Sequence, residues 1–252
     1  MKAVPPNKMK NIAPLFSWSA DKLIVSCIQG HSGHAFSDNP DFPTVALIVS
    51  FGFSFVGGNP ASVQAVELLK SVPPGTDLIP QPNWCEMVEN VLGPRARKQI
   101  RYGFKKEPGI FNRELLQKYA VELPEGFYIK SIDSEIYDLV ISENWSYELV
   151  ENFPTKGDFL EKGLGIAAMF NGRPVAGASS YVIYDGGIEV EIVTKNEYRR
   201  RGLASACGAR LILECLERGL YPSWDAANVP SCLLAQKLGY VFSGEYASYS
   251  IG

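Results

Sequence analysis

The residues best placed to do chemistry lie between Ile188 and Ser205, in the run IEVEIVTKNEYRRRGLAS. Three consecutive arginines, Arg199, Arg200 and Arg201, lead into Gly202, and a helical stripe starts at once with Leu203, Cys207, Leu211 and Cys215. A helix N-terminus offers unpaired backbone N–H groups and partial positive charge, and a glycine there lets the backbone approach a ligand closely. Such a turn can cradle an anion, phosphate above all, with arginine charge around it. A solvated basic turn ahead of an ordinary amphipathic helix is the competing reading of these four residues alone. Just upstream, Ile188, Val190 and Ile192 alternate with Glu189, Glu191 and Val193, the period of a half-buried strand.

The elements around this junction alternate in type. Towards the N-terminus, Asp21–Ile28 reads as a β-branched strand, Gln29–Pro43 as a loop, and Thr44–Phe55 as one strand or two joined near Gly52. Gly57-Gly58-Asn59-Pro60 is a turn that opens a helix over Ala61–Ser71. Helices are expected over Asn83–Leu92 and Ile110–Tyr119. The six basic residues of Arg95–Lys106 are read as a solvated helix face; nucleic-acid contact is the weaker alternative, since glutamates flank them. Leu123-Pro124-Glu125-Gly126 is the best linker, dividing the chain into residues 1–125 and 126–252. Beyond it come a strand at Phe127–Ile132, a helix over Glu135–Ser142 capped by Ser134, and a helix at Lys156–Lys162. A hairpin follows through Asn171-Gly172, joining Gly165–Phe170 to Val175–Tyr184. After the Leu203–Arg218 helix, Tyr221–Ala226 is a strand, Asn228–Lys237 a short helix, and Tyr240–Ile251 a last strand.

Composition narrows the class. A chain of 252 residues, 46% apolar and 20% charged, is long enough to bury a core or two. A net charge of −3 gives no reason to expect nucleic acid or an anionic membrane as partner. Five scattered cysteines without a CxxC pair argue against a disulfide framework or a cysteine zinc site, and fit a reducing cytoplasm. The N-terminal MKAVPPNKMKNIAPLF has no apolar h-region, and Val45–Val56 is too short and interrupted to span a bilayer. His31 and His34 lack a third ligand nearby, so no metal is expected.

The run from Glu191 to Tyr246 resembles the GNAT N-acetyltransferase superfamily. The resemblance rests on a strand, then Arg199-x-x-Gly202-x-Ala204 at a helix start, a second strand, Asn228, and the closing Lys237-Leu238-Gly239-Tyr240. Order and spacing agree across four consecutive elements. More narrowly, Pro222-x-Trp224-Asp225-Ala226-x-Asn228, Leu234-Ala235 and Glu245-Tyr246 are similar to the branch containing zwittermicin-type resistance acetyltransferases. The resemblance implies a mixed α/β fold with a mostly antiparallel sheet, a splayed central strand pair and flanking helices, preceded by an N-terminal α/β domain. That first half, with Phe55-Val56-Gly57-Gly58 at a strand end, admits a degenerate GNAT-like copy.

For the site, the resemblance implies acetyl-coenzyme A as cosubstrate. Its phosphates would rest on Arg199, Arg200, Arg201, Gly202, Leu203 and Ala204, and its pantetheine arm would pair with the backbone of Ile192, Val193 and Thr194. Asn228 lies where the family places an amide near the pantetheine or thioester. Glu189 and Glu191 are the general-base candidates, against a reading as the wet face of a strand. An N–H near Ile192 would hold the oxyanion. The family's tyrosine acid is replaced by Ala235, which leaves Ser231 or Tyr246 as substitutes; Ser231 is equally a helix-capping group. Cys207 and Cys232 are read as small apolar residues, and Trp145 and Tyr147 as acceptor-pocket or core residues. The function expected is acetyl transfer to a primary amine of a small molecule, an antibiotic among the options, by a cytoplasmic monomer or homodimer. A protein or peptide N-acetyltransferase and a non-catalytic acyl-coenzyme A sensor or interaction module are the alternatives.

Overall fold

The computed structural model describes residues 1–107 and 109–252. It divides into two compact units, the first made of residues 1–102 with 244–252 and the second of residues 103–243. The division falls between Tyr102 and Gly103 instead of at the Pro124 linker expected from composition, and residues 244–252 return to the first unit.

The first unit opens with β1 (Lys2–Ala3), α1 (Met9–Ile12) and α2 (Lys22–Gln29). The expected strand over Asp21–Ile28 is this helix. Asp21 caps it by accepting from the Leu23 N–H at 2.8 Å, and Gly30, at φ 84°, ends it. Leu23, Ile24 and Cys27 then fall on one buried stripe, which outweighs the β-branched composition. β2 (His34–Ser37) lies inside the stretch read as loop, and β3 (Val45–Ser50) and β4 (Phe53–Gly58) form the double strand anticipated there. α3 (Ala65–Lys70) begins later than expected, since the Asn59 side chain holds the Ala61 N–H at 3.0 Å in a turn. β5 (Asp77–Pro80), α4 (Cys85–Leu92) and β6 (Ala96–Phe104) complete the run. β6 is a strand where a solvated helix face was expected. It lies at the sheet edge, where charge on a strand is tolerated, and Arg101 is buried with its guanidinium carbon 4.9 Å from the Phe53 ring centroid.

The second unit contains α5 (Arg113–Val121), β7 (Phe127–Ser131), α6 (Ser134–Val140), α7 (Asn144–Tyr147), α8 (Lys156–Lys162), β8 (Gly165–Phe170), β9 (Arg173–Tyr184), β10 (Gly187–Thr194), α9 (Leu203–Glu217), β11 (Tyr221–Ser223) and α10 (Val229–Lys237). Asp133, not Ser134, caps α6, accepting from the Ile136 N–H at 2.9 Å. β12 (Phe242–Ile251) closes the chain.

The two sheets repeat one topology. The larger runs β1-β2-β3-β4-β5-β12-β6 and the smaller β11-β10-β9-β8-β7. In each, three antiparallel pairings lead to one parallel pairing, β4 with β5 and β10 with β11. The parallel step demands a crossover connection, supplied by α3 and α9 respectively. In the second unit α6, α8 and the segment after α7 pack on one face of the sheet through Ile136, Val140, Leu149 and Phe159 against Ala167 and Met169. Residue 208 of α9 is glycine where Leu238 crowds the helix: a Cβ there would meet Leu238 Cδ1 at 2.8 Å, with Ile192 Cδ1 of β10 at 3.4 Å.

Candidate active site

The parallel pairing of β10 with β11 covers three residues, Gly187–Glu189 against Tyr221–Ser223, and then stops. β10 runs on to Thr194, still paired with β9 through Ala176. From Val190 onward its other edge is thus open, which is the splayed pair the resemblance implied. The equivalent place in the first unit is closed. There the Gly58 N–H donates to Gln81 Oε1 at 3.0 Å and Trp84 Nε1 donates to the Gly58 carbonyl at 3.0 Å, so side chains stitch β4 to the segment after β5.

Beyond Thr194 a single helical turn at Asn196–Tyr198 leads into the arginine loop. Arg200 and Gly202 both adopt left-handed backbone, with φ of 61° and 82°. For an arginine this conformation costs about 1 kcal/mol or more, and such strain is retained where a loop is shaped for a task. Arg199 Nε donates to the Thr194 carbonyl at 3.3 Å and Arg201 Nη2 to the Glu197 carbonyl at 3.3 Å, which tie the loop to the end of the strand. Gly202 is the N-cap of the 15-residue α9, and no side chain among the described residues caps that end. A Cβ built on Gly202 meets nothing within 4 Å, so the backbone faces open space. Bare amides, flanking arginines and an approachable glycine fit the phosphates of a coenzyme. Leu203 is buried and anchors the helix, leaving its backbone as the part able to serve a ligand.

Glu191 and Val193 share one face of β10 by the period of the strand, while the register with β9 shifts between Glu189 and Val190. Val193 packs towards the α6–α8 core. Glu189 is 5% exposed and lies among tyrosines, its charge helping to raise Tyr184, Tyr221 and Tyr240. Burial is the larger cause for all three, pushing Tyr221 up to about 12. Each hydroxyl donates to a carbonyl: Tyr184 to Tyr221, Tyr221 to Lys105, and Tyr240 to Pro222. Glu191 is half-buried and its Oε1 accepts from the Ile192 N–H at 3.0 Å. That amide is the group anticipated for an oxyanion.

Asn228 caps α10, its Oδ1 accepting from the Ser231 N–H at 2.9 Å, which leaves its amide NH2 as the donor for a ligand. Ser231 Oγ accepts from Trp224 Nε1 at 3.2 Å, so its own O–H remains to donate. Cys207 lies fully buried, its thiol pushed up to about 12 by burial, and Cys232 is buried on α10; neither has the setting of a nucleophile. Among the described residues no group of three potential metal ligands occurs, and no helix is long and apolar enough to cross a membrane.

Two cavities flank the loop. One, of about 400 Å³, is lined by Val193, Thr194 and Arg199 with Trp145, Glu148, Lys195, Asn196 and Glu197. The other, of about 320 Å³, gathers Arg201, Gly202 and Ser205 with Tyr119, Glu122, Leu123, Pro124 and Lys237. Glu189, Asn228 and Ser231 line neither. Trp145 was foreseen as a possible lining residue, and Tyr147 is largely exposed. Lys195 was missed, although its place directly after the strand marked it. Glu143 accepts from Lys195 Nζ and Trp145 Nε1, both at 2.7 Å, and holds the wall of the larger cavity. The Lys195 hydrogen bond keeps the Glu143 carboxyl below the ordinary glutamate range, against a smaller opposing effect of burial.

An open strand edge running into a basic, glycine-capped helix start fits an anionic ligand with an extended arm. Residues 13–249 match the GNAT acetyltransferase family, and the chain belongs to it. YdfB, an uncharacterized N-acetyltransferase of Bacillus subtilis, is 28% identical over 231 residues, covering 87% of this chain and 86% of that protein. The crystal structure of a GCN5-related N-acetyltransferase-like protein from Streptococcus suis is 39% identical and superposes with a TM-score of 0.89, covering 98% of this chain and 99% of that one. A GCN5-related N-acetyltransferase from Kribbella flavida, 16% identical, shares the fold at a TM-score of 0.58, covering 90% of this chain and 93% of that one. The mixed α/β fold implied by the resemblance is the one observed, and the chain is an N-acetyltransferase of this family, whose members use acetyl-coenzyme A.

Proposed function

We propose that the second unit transfers acetyl from acetyl-coenzyme A to a primary amine of a small molecule by direct attack. The observation that carries this reading is the open edge of β10 from Val190 to Thr194, which runs straight into the uncapped α9 terminus at Gly202. The phosphates rest on Arg199–Ala204, and the pantetheine arm pairs with the backbone of Ile192, Val193 and Thr194 along that edge. Asn228 offers its amide NH2 near the thioester. The thioester carbonyl takes the Ile192 N–H, and the Glu191 carboxylate, displaced from that amide, turns to the incoming ammonium. Glu191 removes one proton, the nitrogen lone pair attacks the carbonyl carbon, and Ile192 N–H holds the oxyanion. Collapse breaks the C–S bond, and the second nitrogen proton passes to the departing thiolate through the Ser231 hydroxyl, which gives its own proton to sulfur as it accepts the one leaving nitrogen.

The larger cavity lies on the carboxylate face of β10, one side-chain step beyond Glu191, and is the acceptor's seat in this reading. The similarity of Pro222–Asn228 to zwittermicin-type resistance acetyltransferases supports an antibiotic amine as acceptor, in a cytoplasmic setting that suits five free cysteines. The repeated strand order supports the first unit, residues 1–102 with 244–252, as a GNAT-like copy whose cleft is sealed. The test is thiol release from acetyl-coenzyme A against a panel of aminoglycoside, peptide and polyamine acceptors, with the acetylated product identified by mass. Acetylation of a small amine supports the reading. Coenzyme binding without thiol release on any amine overturns it in favour of a sensor module, and turnover confined to peptides moves it to a peptide N-acetyltransferase.

A further inference from the structure

From Asn196 to Gly202 every residue is exposed except Tyr198, which is half-buried. Its ring packs on two others, edge-on to Phe127 at 6.0 Å between centroids and 77°, and tilted to Phe170 at 5.9 Å and 56°. Phe127 opens β7, Phe170 ends β8, and these register partners stack at 4.5 Å. In the sheet β9 lies between β8 and β10, so Tyr198 reaches past the neighbour of its own strand to the pair beyond. Arg201 turns back onto the same residue, its guanidinium carbon 5.4 Å from the Tyr198 ring centroid. None of the three rings lines either cavity beside the loop.

The loop they meet is one that needs holding. Its three adjacent arginine charges repel one another, and Arg200 sits in left-handed backbone at φ 61°. An exposed loop with those burdens spreads over many conformations, and a ligand that must order it binds more weakly for doing so. We infer that Tyr198 is a positioning residue for the coenzyme: seated on Phe127 and Phe170, it holds the arginine loop in its phosphate-binding shape before the ligand arrives. The inference rests on the coenzyme reading above and adds a residue that acts through the loop. Phe127 and Phe170 form the socket, and Arg201 is aimed by lying over the ring. These contacts belong to the ring and not to the hydroxyl, so phenylalanine can stand in for Tyr198.

The experiment takes the full chain with Tyr198→Ala, Tyr198→Leu and Tyr198→Phe. Calorimetric titration gives the affinity for acetyl-coenzyme A. Limited trypsin digestion, with and without acetyl-coenzyme A, gives the rate of cutting after Arg199, Arg200 and Arg201. The Ala and Leu variants bind acetyl-coenzyme A about tenfold more weakly, the scale of two aromatic contacts and one cation–π contact together. Their free loops are cut about tenfold faster than the wild type, and saturating ligand suppresses the difference. Tyr198→Phe matches the wild type in both readouts. A residue that only supported the fold would speed cutting along the whole chain and leave the affinity of the folded protein unchanged. Wild-type affinity in the Ala or Leu variant overturns the inference and leaves the coenzyme reading intact, as does weaker binding without faster cutting at these arginines. Failure of the wild type to bind acetyl-coenzyme A overturns both. Should Tyr198→Ala not fold, Tyr198→Leu, which keeps apolar bulk without a ring, decides the matter.

Discussion

Replacement of Gly202 separates two demands that the structure makes of one residue. Its φ of 82° is left-handed, and its Cβ position is empty to 4 Å. An alanine there meets no atom, so its cost is conformational: about 1–2 kcal/mol for an L-residue in left-handed backbone. About 0.4–1 kcal/mol of this is offset because alanine restricts the unfolded chain more than glycine does. The net is about 1 kcal/mol, which lowers the melting temperature by about 2–4 °C in a chain of this size. Asparagine tolerates left-handed backbone, so Gly202→Asn shifts the melting point by about 1 °C or less. Binding follows the other demand. Saturation at about 100 times Kd adds roughly 2.7 kcal/mol to the wild type, a rise of roughly 5–10 °C. Either side chain fills the space through which phosphate reaches the bare α9 amides, so both variants lose most of that rise. Thermal unfolding of the three proteins with and without acetyl-coenzyme A reads all of this. A Gly202→Asn protein that keeps the full ligand-induced rise refutes the close approach of phosphate to this backbone.

Three further outcomes follow from the same geometry. Glu191→Gln lowers kcat by about 10²–10⁴, the usual worth of a general base, with coenzyme affinity retained; undiminished single-turnover transfer would remove Glu191 from the mechanism. Ser231→Ala lowers kcat less than about tenfold, because a thiolate leaves readily, but leaves the buried Trp224 N–H without its acceptor and costs about 1–3 kcal/mol in urea unfolding. Ser231→Thr restores that stability, and a Ser231→Ala protein as stable as the wild type contradicts the hydrogen bond. Glu143, held below the ordinary glutamate range by Lys195, contributes stability that is present above about pH 4.3 and is lost as pH falls through its lowered value. The stability gap between wild type and Glu143→Gln should accordingly be full at pH 7 and narrow in acid; a gap that does not change with pH shows that the ion pair contributes nothing.

What the sequence made legible follows from how local each signal is. The β10–α9 junction is contiguous, so its alternation, glycine and helical stripe could be read directly, and the open edge and bare helix end appeared where those residues implied. The Asp21–Ile28 segment misled because its β-branched composition spoke louder than two terminal cues, the Asp21 cap and Gly30. β6 misled because a buried Arg101 beside Phe53 and Asp77 puts charge on the side where an apolar residue would have revealed a strand. Lys237 was quoted for its place in a motif, yet its meeting with Tyr119 depends on α5 packing beside α9, a contact between residues more than a hundred positions apart. The Ile192 amide was anticipated as a donor, but the Glu191 carboxylate that covers it is a choice of rotamer, which spacing does not encode.

The position of β12 bears on how the chain is made. It lies between β5 and β6, in the interior of a sheet whose other strands are all drawn from the first 104 residues. During synthesis that sheet waits with β5 and β6 unjoined while the second unit emerges, and closes only once Phe242–Ile251 is available. Until then two strand edges stand exposed, the condition under which nascent β-proteins most need a chaperone. Removal of Phe242–Ile251 would therefore damage a sheet whose other strands were made more than a hundred residues earlier.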